Sequence, residues 1–444
     1  VRLVERLDNR SSIFNSENIA NASFYKFLYD RAPRAFAAPS PRVLTFDIAG
    51  LRMRDYRLPE ALASIYRRAP KKEAQHYPRK FESSTRMSSP SLAIEPMKVG
   101  LLHARTGPAG LWAPSLDASA LLAVAEINVG GGIRGEEIEI IVGDCGCTVA
   151  EAIEAVDTLL DVEGAEVIIG GHPSNLRDAV SHRLAGKTPY IYTPQYEGTA
   201  CGPSTVAIGS TDQELLRPGL HWLRDRKQAE RFFFVGDDYI WPRMAFESAR
   251  RLVREQGGRW AGECFLANRS IEHAEVLRRI ARSGAQVVIQ ALVGQSAIDF
   301  NRAFAAAGLD QKMLRFGLIV DETVICGIGA AASLNLFTAA HYFAGRRSRT
   351  NDRFLERYHE AFGEWAPTVS AASVYFYEGL HVLAGLAREL ETRKAEHLAR
   401  YLNDPNSRLA ARGLLGDKPV GQSPSVFLAQ ADGVRLEVIA EFAA

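Results

Sequence analysis

From Met97 onward the chain repeats one pattern: a short apolar run, a breaker, then an amphipathic stretch of helical length. The apolar runs read as strands at Lys98–His103, Glu137–Val142, Glu166–Ile169 and Pro189–Tyr192, then at Arg231–Val235, Arg259–Phe265, Gln286–Gln290 and Leu314–Ile319. Between them, helices are predicted over Leu116–Asn128, Val149–Asp161, Ser174–Leu184, Gln213–Asp225, Arg243–Gln256, Glu272–Ser283 and Ser296–Ala307. A strand followed by a helix and a second strand packs as a right-handed crossover on a parallel sheet, so this order selects an α/β fold. The series divides into halves of about 97–205 and 212–335, with Ser204–Ser210 read as a crossing strand between them. After Asn335 the order changes to a strand in LNLFTAAHYF, helices over Asn351–Phe362 and Ser370–Arg388, and short segments to Ala444. Two doubly wound sheets joined by several crossings leave a cleft, and ligands in such sheets sit beyond the carboxyl ends of the strands.

The loops at those strand ends are the candidate site. They are ARTGPAG (104–110), GGHPSNLR (170–177), TPQYEG (193–198), GDDYIWPR (236–243), ALVGQS (291–296) and VDET (320–323). In GGHPSNLR two glycines admit a ligand to the backbone, and Ser174 opens a helix. Its hydroxyl and the first-turn amides then face either a ligand carbonyl or carboxylate, or simply cap the helix. Asp237 and Asp238 form an acid pair in a loop without a matched base. One is expected to accept backbone N–H groups in the turn, the other to cap the helix that begins near Pro242. An acid or base role for either aspartate is the enzymatic alternative. No GxSxG elbow, HExxH pair or clustered histidines appear, and GGGIRG (130–135) follows a helix, so it reads as a turn.

At 444 residues and 47% hydrophobic content, the chain has material for more than one core. Its formal net charge of +1 conceals an asymmetry: residues 1–96 carry a net +7, and 97–444 a net −6. Direct nucleic-acid binding is therefore not expected of the body, and only the arginine-rich head offers a basic arm. That head has many prolines, with orderable pieces at Phe24–Asp30, Arg42–Ile48 and Leu58–Arg68 and a linker-like stretch before Met97; Met87 and Met97 are both candidate initiators. Five cysteines form neither a disulfide framework nor a zinc pattern, so ordinary thiols, with no metal and no cofactor, are expected. No apolar window of membrane-spanning length occurs, and VRLVERLDNRSS lacks the pattern of a secretory signal, which points to the cytoplasm.

GLLHARTGP, GGHPSNLRDAV, TPQYEG, GDDYIWPR, VGQSAIDFNRAF and AAHYF together resemble the type I periplasmic binding protein family. Within it they are most similar to the urea- and short-amide-binding branch, which includes the cytoplasmic negative regulator of aliphatic amidase operons. The resemblance covers residues 97 to about 440, and TPQYEG together with GDDYIWPR is its most specific part. It implies two Rossmann-like lobes with parallel sheets, joined by three crossings and closing over a small ligand by hinge motion. One lobe would take 97–208 and about 340–390, the other 209–339 and about 391–444, with 1–96 as an extension. By the same resemblance Ser174 holds the ligand's carbonyl, Tyr192 and Tyr196 lie near the first lobe's wall, and Tyr239 and Trp241 come from the second. Gly294 and Asp321 lie in pocket-facing loops. His172 replaces a frequent aromatic, Trp241 a usual tyrosine or phenylalanine, and Pro194-Gln195 matches the urea-type pattern.

These features together imply a non-catalytic binding protein for an amide, urea or an amino acid. As a cytoplasmic sensor it would hold an antiterminator-type RNA-binding regulator; as a transporter component outside the inner membrane it would serve an ABC permease. The missing signal segment favours the sensor. A homodimer is a further expected partnership.

Overall fold

The computed structural model describes residues 95–267, 273–402 and 424–443, so the pieces expected in the head lie outside the described residues. Two sheets organise them. The first contains β1 (Met97–His103), β2 (Ile138–Asp144), β3 (Val167–Gly171), β4 (Tyr190–Tyr192) and β5 (Thr205–Ala207) in the order β2-β1-β3-β4-β5, all parallel. The second contains β6 (Arg231–Asp237), β7 (Arg259–Leu266), β8 (Val287–Ala291), β9 (Leu314–Gly317), β10 (Leu336–Ala340), β11 (Val426–Asp432) and β12 (Arg435–Phe442). Its order is β12-β11-β10-β9-β8-β6-β7, parallel from β7 to β10 and antiparallel in the last two strands.

The helices fill the predicted positions, and two more form that were not predicted, Glu322–Ile328 and Ala395–Leu402. α1 (Ala113–Val129), α2 (Val149–Asp157) and α3 (Ser174–Leu184) serve the first sheet, and a π-helical turn at Thr158–Val162 continues α2. α4 (Asp212–Lys227), α5 (Ile240–Glu255), α6 (Ala274–Ser283), α7 (Gln295–Ala306) and α8 (Glu322–Ile328) come next, in the second half. The starts of α2 and α4 are fixed by T-x-x-E capping boxes, Thr148 with Glu151 and Thr211 with Glu214, each satisfying two first-turn donors. α9 (Arg349–Phe362) and α10 (Ala371–Glu389) return to the first lobe, where both pack on α1 and α10 also covers β3; α11 (Ala395–Leu402) meets β5. α1 tolerates this because alanines at 118, 120, 123 and 125 let neighbours approach all its faces.

Two expectations change. Ser204–Ser210 is not a strand between the sheets: Thr205–Ala207 is the edge strand of the first sheet, and the crossing is the short extended segment 208–211. The carboxyl-terminal short segments are a β-hairpin that closes the second sheet's edge. Gly433-Val434 turns it, between the paired Asp432 and Arg435, with Gly433 at φ +61° in the first loop position.

The chain passes between the sheets at 208–211 and at 341–348. The Tyr196 N–H donates to the Ser210 carbonyl at 2.9 Å and the Asp212 N–H to the Tyr196 carbonyl at 3.0 Å. His341, in the second passage, lies 2.9 Å through Nδ1 from the Ser425 carbonyl just before β11, and its Nε2 lies 3.9 Å from Glu214 in the first turn of α4. Gly209 leaves no room for a side chain: a Cβ there would stand 1.7 Å from the Pro194 carbonyl oxygen, backbone that cannot swing aside. Gly209→Ala is therefore expected to destabilise the protein by about 2 kcal/mol or more, read as a lower urea midpoint.

Candidate functional site

A cavity of about 100 Å³ lies between the carboxyl ends of the two sheets. The first lobe contributes Trp112, His172, Ser174, Tyr192 and Gln195 to its wall, and the second Tyr239, Trp241, Val293, Ile319 and Asp321. Seven of the nine residues expected there thus meet. Tyr196 and Gly294 are not on the wall. The Tyr196 ring packs edge-on behind Tyr192, with centroids 6.4 Å apart. Gly294 begins α7 at φ +52° and lies against the first lobe, where a Cβ would stand 1.9 Å from the Pro108 carbonyl oxygen. It is a point of contact between the lobes, and only glycine fits.

Ser174 is the first residue of α3, whose preceding residue Pro173 makes no side-chain cap. The capping interpretation of Ser174 therefore fails. Its Oγ is buried with no hydrogen-bond partner among the described residues, at a helix start whose first-turn amides have no intrahelical acceptor. A buried hydroxyl left unpaired costs stability, and a ligand oxygen in the cavity would satisfy it. The next turn anchors this position. Arg177, itself buried, donates through Nη2 to Glu197 at 2.7 Å and Thr199 at 2.6 Å, and stands 5.4 and 5.1 Å from the Tyr192 and Tyr196 ring centres. One cation thus staples the GGHPSNLR loop to the TPQYEG loop.

His172 is a fixed hydrogen-bonding spacer. Its Nδ1 lies 3.0 Å from the Pro173 carbonyl, which only accepts, so the proton resides there and Nε2 accepts from the Tyr190 hydroxyl at 2.6 Å. Burial pushes its pKa down to about 4, which keeps the ring neutral. Tyr192 in turn donates to the His172 carbonyl at 2.9 Å.

Across the cavity, Asp321 caps α8 by accepting the Val324 N–H at 3.0 Å and also accepts the Trp112 indole N–H at 2.7 Å. That second bond joins the lobes. Trp112 was not among the expected site residues, although it lies only two positions beyond the TGPAG loop. Asp212 is the other omission. Its Oδ1 accepts from Gln195 at 2.8 Å and from the Trp241 indole at 3.0 Å, so it holds a wall residue of each lobe.

The acid pair does neither task expected of it. Asp237 accepts the Val293 N–H at 2.8 Å and the Ser296 hydroxyl at 2.6 Å, tying the β6 loop to the β8 loop. Burial raises its pKa to about 6, against the pull of those two donors. Asp238 pairs with Arg243, Oδ1 to Nη2 at 2.6 Å, on the surface. The residue that caps α5 is Tyr239, without a side-chain bond, and Pro242 does occupy the first turn.

Two lobes of mostly parallel sheets with a cavity at their facing strand ends define a type I periplasmic binding protein fold. Residues 96–413 match the family model described as periplasmic binding protein, and the chain belongs to that family. An 83-residue stretch is 28% identical to the leucine-, isoleucine-, valine-, threonine- and alanine-binding protein of Pseudomonas aeruginosa, covering 19% of this chain and 22% of that protein. The fold is similar to an ABC-transporter solute-binding protein of Rhodopseudomonas palustris solved with 4-hydroxybenzoate, at TM-score 0.67 and 19% identity, over 79% of this chain and 97% of the other. It is also similar to the branched-chain amino acid transporter substrate-binding protein of Streptococcus pneumoniae solved with isoleucine, at TM-score 0.66 and 15% identity, over 79% and 99%.

The site's geometry makes two outcomes measurable. Trp112→Phe keeps a ring on the wall but removes the indole donor, so it should lower stability by about 1–2 kcal/mol in urea unfolding. Glu322, beside Asp321, has Oε1 bonded to the Ala344 N–H at 2.5 Å and an enclosed Oε2 without a partner among the described residues. Burial, with the Asp321 charge adding to it, raises its pKa from 4.5 to about 8. The folded protein therefore holds a proton that the unfolded chain has lost, and stability drains away as pH rises from about 4.5 to about 8. Glu322→Gln removes that loss and should stabilise the protein by at least about 1 kcal/mol at pH 8 and hardly at all at pH 4.5, in melts across that range.

Proposed function

We propose that this chain is the solute-binding component of an ABC transporter, closing its lobes over a small neutral or zwitterionic ligand whose carbonyl or carboxylate meets Ser174. The observation that carries this is the unpaired, buried Ser174 Oγ at a helix start, on the wall of the interlobe cavity. The charge inventory narrows the ligand. Among the described wall residues there is one acid, Asp321, a neutral histidine, and no lysine or arginine. An isolated anion would meet no opposing charge there, whereas an amide or urea needs only placed donors and acceptors. An amino acid adds an ammonium group, for which Asp321 is the complementary partner.

The transporter role is supported by relatives that serve solute uptake, and it implies a location outside the inner membrane beside a permease. Binding without turnover is the expected behaviour, because the cleft aspartates are spent on packing the loops. The urea- and amide-binding branch rests on TPQYEG and GDDYIWPR. The cytoplasmic sensor is the second reading, resting on the same two motifs.

A thermal-shift screen of urea, short amides, branched-chain amino acids and benzoate tests the ligand class. A ligand at one hundred times its Kd should stabilise by about 2.7 kcal/mol. An amide or amino acid should do so and benzoate should not; benzoate alone stabilising would overturn the charge argument. Ser174→Ala should weaken the ligand that binds by about tenfold to a hundredfold in calorimetry. Fractionation of native cells separates the roles: recovery with periplasmic proteins supports the transporter component, and recovery with cytosol supports the sensor.

A further inference from the structure

Asp212 occupies an unusual place. It is the first residue of α4, immediately after the first passage between the lobes, and it is fully buried. Its Oδ1 receives two side-chain donors from segments far apart in sequence: Gln195, in the loop after β4 of the first lobe, and Trp241, in α5 of the second. Both donors are wall residues of the cavity, whereas Asp212 is not. Its Oδ2 is enclosed and has no hydrogen-bond partner among the described residues.

Two donors on one oxygen and none on the other is a poor arrangement for a buried carboxylate; the carboxylic acid leaves its O–H without an acceptor as well, but no longer buries a charge. The ionised form leaves half its charge density unsolvated. The neutral form needs no partner for its formal charge, and Oδ1 still accepts both bonds. The charged groups that face it favour the neutral form as well. Glu197 lies in the Gln195 loop, with its charge partly drawn off by Arg177, and Glu214 sits two residues on in α4 itself, engaged with the Thr211 N–H and near His341. From the α5 side comes Tyr239, whose hydroxyl burial keeps protonated. Burial first, and Glu197 in addition, lift the Asp212 pKa to about 7 even though both hydrogen bonds pull it down.

We propose that Asp212 is a positioning residue that sets both walls of the ligand cleft from the hinge, and that closure over a ligand takes up a proton at its unpartnered oxygen. When the lobes part, Gln195 leaves Asp212, water reaches the carboxyl and the proton is released. When they close, the proton returns with the Gln195 bond. Ligand affinity therefore falls as pH rises through neutrality, with no titrating group on the ligand or in contact with it.

The inference rests on the proposed solute-binding role, and its test separates the two. Full-length wild type, Asp212→Asn and Asp212→Ala are titrated with isoleucine and with acetamide at pH 5.5 and pH 8. Wild type should bind the recognised probe about tenfold more weakly at pH 8 than at pH 5.5, from one proton taken up on closure. Asp212→Asn, which keeps an acceptor for both donors, should bind as wild type does at pH 5.5 and show no pH dependence. Asp212→Ala should bind weakly at both. A wild-type slope retained in Asp212→Asn, or wild-type affinity in Asp212→Ala, overturns the inference. If neither probe binds, the ligand reading is what suffers, and Asp212 is judged on the ligand-free protein over a wider range. The Trp241 indole proton resonance, identified by its loss in Trp241→Phe, should then shift with a midpoint below neutrality while the lobes are apart, and near neutrality once a bound ligand closes them. An indole resonance that does not move between pH 3.5 and 8 overturns the proposal, including where Asp212→Asn fails to fold.

Discussion

A carboxylate buried between two domains must be satisfied by both, and Asp321 meets that requirement with one oxygen for each. One completes the first turn of α8; the other takes the indole proton of Trp112 from the opposite lobe. Opening the cleft breaks the second bond and leaves each partner to water. The closed cavity is thus defined by polar contacts made only when the lobes meet, with Gly294 against Pro108 as their steric counterpart. Such contacts can be exchanged for bonds to water, which is what the proposed closure over a ligand requires.

Ligand chemistry is set by what these contacts leave over. His172, Tyr192, Trp112 and Trp241 line the cavity, yet each spends its polar atom on the protein. They offer shape and apolar surface. Ser174, at a helix start, differs from these four in having a buried hydroxyl with no partner among the described residues. A site of this kind recognises a single oxygen end strongly and the remainder of the ligand by fit. The narrow polar repertoire also accounts for how one fold can serve ligands as different as isoleucine and 4-hydroxybenzoate among its relatives, since a few loop residues are all that must change.

Strand order, helix positions and the loops that form the site were legible in the sequence because they depend on local periodicity. Buried parallel strands such as FFFVGD must be apolar on both faces, and the helices between them must alternate. The carboxyl-terminal hairpin was read only as short segments, because β11 is a run of buried apolar residues without the alternation that marks an edge strand. What local pattern could not carry was pairing. Nothing adjacent to Asp212 announces that Gln195 and Trp241 will converge on it, and nothing near Trp112 points to Asp321, 209 residues away. Tyr196 and Gly294 were placed in the correct loops, yet the side of the loop each occupies is decided by neighbours from another element.

The acidic pair in GDDYIWPR makes the same point from chemistry. Adjacent aspartates suggest catalysis when read in line, but their side chains leave the strand end in opposite directions. Asp237 turns inward to clamp the β8 loop, and Asp238 turns outward to Arg243. Neither faces a reacting centre. A carboxyl group with an unspent, enclosed oxygen that is also bonded to both cleft walls lies elsewhere, at Asp212, a position with no motif around it. A buried acid becomes functionally informative through its unsatisfied valence rather than its sequence neighbours. In a two-lobed protein one place to look for such an acid is where the connecting segments meet the walls of the cleft, because a residue there can be bonded to both lobes, as Asp212 is.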